Sequence, residues 1–310
     1  MRALVAPIVL LALAARTGRA DTRCVDDGKP YDEAVMRERV ARLASPENDG
    51  RAPGSKGDLA TRAFLVERFT CLGLTPIGDA TFEQPFATGG VATANVVGYV
   101  KGSDPVADII YVSAHHDHLG DGHLGANDNA SGIVGMLAIA QAIQQRTTPP
   151  RRTIVFAAFG AEEGGMIGSY FYAAHPPAAL PNDKVVEVIN LDMVGSHASH
   201  QLVAAMGAFK GHPARKLLDG LVGKFGKISV ASGGIARGSD FEPFCKLGIP
   251  YVFFWTPDQR CYHEKCDKAA ALDYKHMVDI VRLAGALVEA MADTAIDLAA
   301  SRAKLGCGVK

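Results

Sequence analysis

An excess of charge of one sign is missing from this chain. Its 310 residues carry 33 acidic and 32 basic side chains, a formal net charge of −1. The basic surplus that usually marks a nucleic-acid binder is therefore absent. Internal repeats, low-complexity tracts and domain-separating linkers are lacking as well, which leaves one domain as the simplest reading. Beyond the first twenty residues no run is long and apolar enough to cross a bilayer as a helix. No second CxxC-like pair accompanies Cys261 and Cys266, which weighs against a zinc site built on cysteine. What is present, 48 % hydrophobic and 21 % charged residues, excludes disorder, collagen and coiled coil and suffices for a sizeable core.

The first twenty residues differ from the rest. Arg2 gives a positive start, Ala3 to Ala15 is an apolar run broken only by Pro7, and Gly18-Arg19-Ala20 offers small residues to a signal peptidase. Thirteen residues are too few to span a membrane as a helix, so residues 1–20 are expected to be a secretory signal. Residues 21–310 then form the working domain, with 29 bases against 33 acids and a net charge of −4. The expected setting is the periplasm or the medium, with no membrane contact after cleavage. Cys24, Cys71, Cys245, Cys261, Cys266 and Cys307 all survive that cut. In an oxidising compartment six cysteines favour disulfides over thiolate ligands, and spacing does not choose among the pairings.

Two helices are expected to open the fold. The second, Leu59 to Leu72, has a capping start at Ser55 and Asp58 and an apolar stripe of Leu59, Ala63, Val66 and Phe69. Strands are predicted over Thr81–Phe86 and Asn95–Val100. Buried-type strands over Ile109–Ala114, Thr153–Phe159, Val185–Leu191 and Pro250–Phe254 then alternate with helices over Ala130–Gln145, Ile167–Ala174 and Asp273–Met291. A further strand is expected over Gln201–Met206. This alternation predicts an α/β domain with a mostly parallel, mixed sheet covered by helices on both faces.

Ligands in open α/β sheets gather at the carboxyl ends of the strands. There the sequence places His115-His116-Asp117-His118, Glu162-Glu163, Asp192 and Tyr262-His263, with Asn127-Asp128-Asn129 at the start of a helix. Each piece alone has a blander reading: a surface pair, a solvated loop, a helix cap or a glycosylation acceptor. Together they bring many carboxylates to one edge, where repulsion is costly without cations.

The motifs SAHHDHLG at 113–120, GANDNASG at 125–132, FGAEEGG at 159–165, NLDMVG at 190–195 and YHEKCD at 262–267 resemble those of the secreted co-catalytic di-zinc aminopeptidases and their relatives. GSDFEPF at 238–244 is similar to that family's Ser-Asp segment, although Phe241 stands where many relatives carry His. The resemblance covers about Asp32 to Met291. It implies two zinc ions, one held by His115 and Asp192, the other by Glu163 and His263, with Asp128 bridging them. It further implies that Asp117 orients the His115 imidazole, that Glu162 is the general base and that Tyr262 donates to the developing oxyanion.

His116, His118 and His123 have no ligand position in that scheme and read as loop or supporting residues; His197, His200 and Arg237 read as solvated. The implied activity is a metallopeptidase acting as an aminopeptidase on peptides with a free N-terminus. Glutaminyl cyclases, which use a single zinc on the same scaffold, are the nearest alternative. A carboxypeptidase and a receptor that has lost its metals are more distant ones. The sequence leaves oligomeric state open.

Overall fold

Apolar runs make the strands, and the polar residues between them cap the helices. A computed structural model describes residues 28–78, 81–104, 108–195, 202–234, 236–257 and 260–307. The expected signal segment, Cys24, His197 and His200 lie outside the described residues. Helix α1 (Glu33–Leu43) is capped by Asp32, whose carboxylate accepts from the N–H groups of Ala34 and Val35. Helix α2 (Lys56–Cys71) starts as expected, with Ser55 Oγ accepting from the Asp58 N–H.

The buried stripe of α2 keeps Phe69 of the expected one but leaves Leu59 and Ala63 outside. Leu59 is 56 % exposed, whereas Thr61, Phe64, Leu65, Arg68 and Phe69 are inside. The turn of the helix follows Asp58, which is buried with Arg62 and the Thr93 hydroxyl as partners. A polar side chain satisfied in this way can face the core.

Strands β1 (Thr75–Pro76), β2 (Glu83–Thr88) and β3 (Val91–Val100) come next. The alternating region follows as β4 (Ile109–His115), α3 (Gly132–Gln144), β5 (Thr153–Phe159), α4 (Ile167–Ala174) and β6 (Val185–Leu191). The last third adds β7 (Leu202–Met206), α5 (Pro213–Asp219), β8 (Ser229–Ser232), α6 (Glu242–Lys246), β9 (Tyr251–Trp255), α7 (Tyr274–Asp293) and α8 (Leu298–Leu305). One sheet runs β1-β3-β5-β4-β6-β9-β7-β8, with β2 also paired to β3. Its centre, β5-β4-β6-β9, is parallel. The flanks join it antiparallel through β3 and β7.

Side chains alternate across the sheet. Ile110, Val112 and Ala114 of β4 enter the larger core with residues of α1, α3 and α7, and Ile109 and Tyr111 enter the other with Tyr172 of α4 and Phe244 of α6. Helices thus cover both faces. The central register sets the strand ends level: His115 pairs with Phe159, and Leu191 with Phe254. Residues just past those positions share one edge. Cys245–Cys307 ties the chain end beyond α8 to α6, and Cys261–Cys266 closes a short loop beyond β9.

Candidate active site

That edge holds the titratable residues singled out in the sequence. His115 ends β4. Glu162 and Glu163 follow β5 by way of Ala161, at φ 58°. Asp192 directly follows β6, and His263, itself at φ 56°, sits inside the Cys261–Cys266 loop. Left-handed backbone at residues with a Cβ costs about 1 kcal/mol each and clusters at functional sites.

Asp128 lies in a π-type turn, residues 126–131, that delays the regular start of α3 to Gly132. Asp267 fixes this turn by accepting from the N–H groups of Asn127 (2.7 Å) and Asp128 (3.0 Å). Asn129 is fully buried. Its amide group donates to the Leu191 carbonyl and accepts from Gly132 N–H, so its side chain serves the fold and is closed to glycosylation.

Two donor sets form around Asp128. His115 Nε2 lies 3.3 Å from Asp128 Oδ1 and 3.3 Å from Asp192 Oδ1. On the other side, His263 Nε2 lies 3.3 Å from Asp128 Oδ2 and 3.0 Å from Glu163 Oε2. Glu162 approaches the first set less closely, its Oε2 3.9 Å from His115 Nε2. Among the described residues three trios have ligand atoms within 4.8 Å of one another: His115 with Asp128 and Asp192, His115 with Glu162 and Glu163, and His118 with Asp128 and Glu163. A set of imidazoles and carboxylates fits zinc in donor chemistry.

Electrostatics make the same demand. Burial pushes Glu162 up to about 10; His115 pulls it down, and Asp240, Asp192 and Asp117 push it further up. Asp240, buried beside them, is raised to about 7, chiefly by burial. Burial acts to lower the His115 pKa, but Asp192 and Glu162 outweigh it and raise it well above 6.5. Asp128 is held below the usual carboxylate range: burial works against this, and hydrogen bonds from His115 and His263 prevail.

The supporting residues are equally ordered. Asp117 Oδ1 and Oδ2 accept from the N–H groups of Glu162 (3.0 Å) and Glu163 (3.3 Å), fixing both glutamates at once. His115 Nδ1 lies 3.2 Å from the Asp117 carbonyl and 3.7 Å from its carboxylate. His118 Nδ1 donates to Glu163 Oε1 at 2.6 Å, leaving Oε2 to face His263. The Ser239 hydroxyl donates to Asp192 Oδ2 at 2.8 Å and accepts from Asn190, which in turn accepts from Ser113.

Of the remaining histidines, His116 Nε2 donates to the Ala94 carbonyl and His123 Nδ1 to the Gly120 carbonyl. His118 thus has the supporting role expected of it, whereas Asp267 has no role in the sequence reading: its motif contains it, but its partners lie about 140 positions away. Phe241, in place of histidine, is buried and stacks on Tyr251 at 4.0 Å.

A cavity of about 360 Å³ opens over the carboxylates. Met206, Phe253 and Trp255 form an apolar wall, and the exposed Arg237 stands at the lining. Tyr262 also lines it, 44 % exposed and stacked on His263 at 3.9 Å. Its hydroxyl is pushed up to about 12 by burial and the nearby carboxylates, so it is neutral and able to donate.

Comparison with known proteins bears on the fold and the family. Leupeptin-inactivating enzyme 1 of Streptomyces exfoliatus is 28 % identical over 254 residues, covering 74 % of this chain and 54 % of that protein. The chain thus spans about half the length of that relative. Among solved structures, BSAP, a zinc aminopeptidase from Bacillus subtilis, superposes with a TM-score of 0.72 at 17 % identity, over 87 % of this chain and 98 % of that one. Bacteroides thetaiotaomicron glutaminyl cyclase does so with a TM-score of 0.68 at 19 % identity, over 84 % and 98 %. At those identities the two structures speak for the fold. Residues 95–288, more than half of the sequence and every donor just described, match the family model of Peptidase family M28, and the chain belongs to that family.

Proposed function

We propose that this chain is a zinc-dependent aminopeptidase that holds two ions and removes N-terminal residues from peptides. The observation that carries the reading is Asp128, whose two oxygens face two separate donor sets. His115 and Asp192 would hold one ion, Glu163 and His263 the other, with Asp128 spanning both. When bound, zinc supplies Lewis acidity toward the scissile carbonyl and lowers the pKa of water.

The protein's own groups do the rest. Glu162, which has no ligand role in this scheme, takes the proton of the attacking water and returns it to the leaving amine. Asp117 holds the Glu162 main chain so that this carboxylate reaches the reacting atoms. The Tyr262 hydroxyl donates to the oxyanion as it develops on the carbonyl. The carboxylate-rich floor attracts the substrate's free α-ammonium group.

Two disulfides support an exported, oxidising setting. A cleaved signal over residues 1–20 accords with it, and among the described residues no helix is long and apolar enough to cross a membrane.

The test uses peptides with free and acetylated N-termini, mass spectrometry of the products and a zinc count on the same sample. Two zinc ions per chain and stepwise shortening from free N-termini alone are expected. Glu162→Gln should keep the zinc and lose about 100- to 10,000-fold in turnover. Full activity in that variant sinks the proposed base. One zinc per chain, with loss of ammonia from N-terminal glutamine peptides and no shortening, would favour the cyclase instead.

A further inference from the structure

We infer that Arg51 is a positioning residue for the metal site: from outside the family-matched segment, it pins the ends of the loop that joins two ligand-bearing motifs. This rests on the two-ion reading above. Arg51 is 1 % exposed and among the largest fully buried side chains. Its Nε donates to the His116 carbonyl at 2.8 Å and its Nη2 to the Gly125 carbonyl at 2.8 Å. Nη1 donates to the carbonyls of Leu124 (2.7 Å) and Leu43 (3.0 Å). His116 follows the donor His115, and Gly125 opens the turn that carries the donor Asp128. One planar fork therefore sets the distance between the two motifs.

The backbone beneath Arg51 is arranged for the same purpose. Asp49, Gly50 and Arg51 all have positive φ, at 41°, 74° and 67°. Left-handed geometry at two residues with a Cβ is costly and persists only where the surroundings impose it. Here the turn is pressed onto the loop it organises. A Cβ on Gly50 would stand 2.2 Å from the His123 carbonyl oxygen, and Asp49 Oδ1 accepts from the Gly122 N–H at 2.7 Å. The charge of Arg51 also acts on Asp267, Asp117, Asp128 and Glu163, so a fixed cation lies behind the carboxylates. It restrains their repulsion before any metal arrives.

The test is zinc affinity by chelator competition, with thermal melting of the metal-free protein alongside. Arg51→Lys keeps the charge and loses the fork. It is expected to bind zinc about 10- to 100-fold more weakly, as residues that orient ligands typically do when altered. Saturating zinc should then restore kcat with little change in KM. Asp49→Ala, a milder break at an exposed side chain of the same turn, should weaken zinc binding about fivefold, the value of one ordinary hydrogen bond.

Wild-type zinc affinity in Arg51→Lys, even with a lower melting point, overturns the inference and leaves Arg51 a structural staple. If Arg51→Lys does not fold, Asp49→Ala decides: unchanged affinity there overturns the inference, and the expected loss supports it. A wild-type chain that binds no zinc sinks the two-ion reading instead, so the two failures are distinguishable.

Discussion

Glu187 and Asp192 are five residues apart, one within β6 and one just past its end, and both are buried, at 1 % and 8 % exposure. Their fates differ because of their company. Glu187 Oε2 faces one base, His212 Nε2, at 3.4 Å. His212 Nδ1 accepts from the Ala214 N–H, so the ring proton is on the nitrogen facing Glu187. Burial alone raises the Glu187 carboxyl well above its ordinary range and pushes His212 down to about 4. In mid-strand the pair resolves burial by giving up charge. At the strand end, Asp192 is one of several converging carboxylates that share two histidines, and their oxygens and ring nitrogens form a donor set of the kind a cation fits. A buried acid beside a histidine is thus no sign of a site; convergence at the carboxyl edge of the sheet is.

The contrast breaks most visibly in activity. Asp128→Asn removes a charge from both donor sets and should lower peptide turnover by about a thousandfold or more, with zinc lost in parallel. Glu187→Gln, equally buried, should leave kcat within about twofold. A comparable loss in both variants would erase the distinction drawn between edge and mid-strand.

Stability against pH sharpens it next. The His212 pKa is lower in the folded chain, about 4, than its ordinary 6.5. Its neutral form therefore contributes stability fully above pH 6.5, and that contribution falls away as pH drops toward 4. Asparagine can still cap α5. Denaturant melts of His212→Asn and wild type should diverge by about 3 kcal/mol across that window, with the variant less sensitive to acid. Parallel curves would mean that the imidazole is not held neutral.

The smallest effect concerns Tyr262, the most exposed of the proposed catalytic groups. Tyr262→Phe should reduce kcat about tenfold, with KM and zinc content nearly unchanged, as for one hydrogen bond made in the transition state. An unchanged kcat would confine Tyr262 to stacking on His263.

Much of this arrangement was legible because it rests on local pattern. Val185–Leu191 and Thr153–Phe159 are continuous apolar runs, and the structure has strands with those bounds. The polar residues following each run then share an edge by register. Other features depend on partners far along the chain. Arg51 belongs to no motif of the sequence reading, and its acceptors His116 and Gly125 lie 65 and 74 positions away. The face of α2 is turned from the expected one at its start, where the buried Asp58, paired with Arg62 and Thr93, leaves Leu59 exposed. Strand β8 covers only Ser229–Ser232 at the sheet border, too short and too polar to announce itself.

Strand order carries one more consequence. The last strand in sequence, β9, lies inside the sheet between β6 and β7, and the loop after it brings Tyr262 and His263. A chain still being made, or cut short before residue 251, has a gap at its centre and lacks both residues. The site and the sheet are therefore completed by the same late segment, which joins β7 and β8 to the parallel centre as it brings in the last donor.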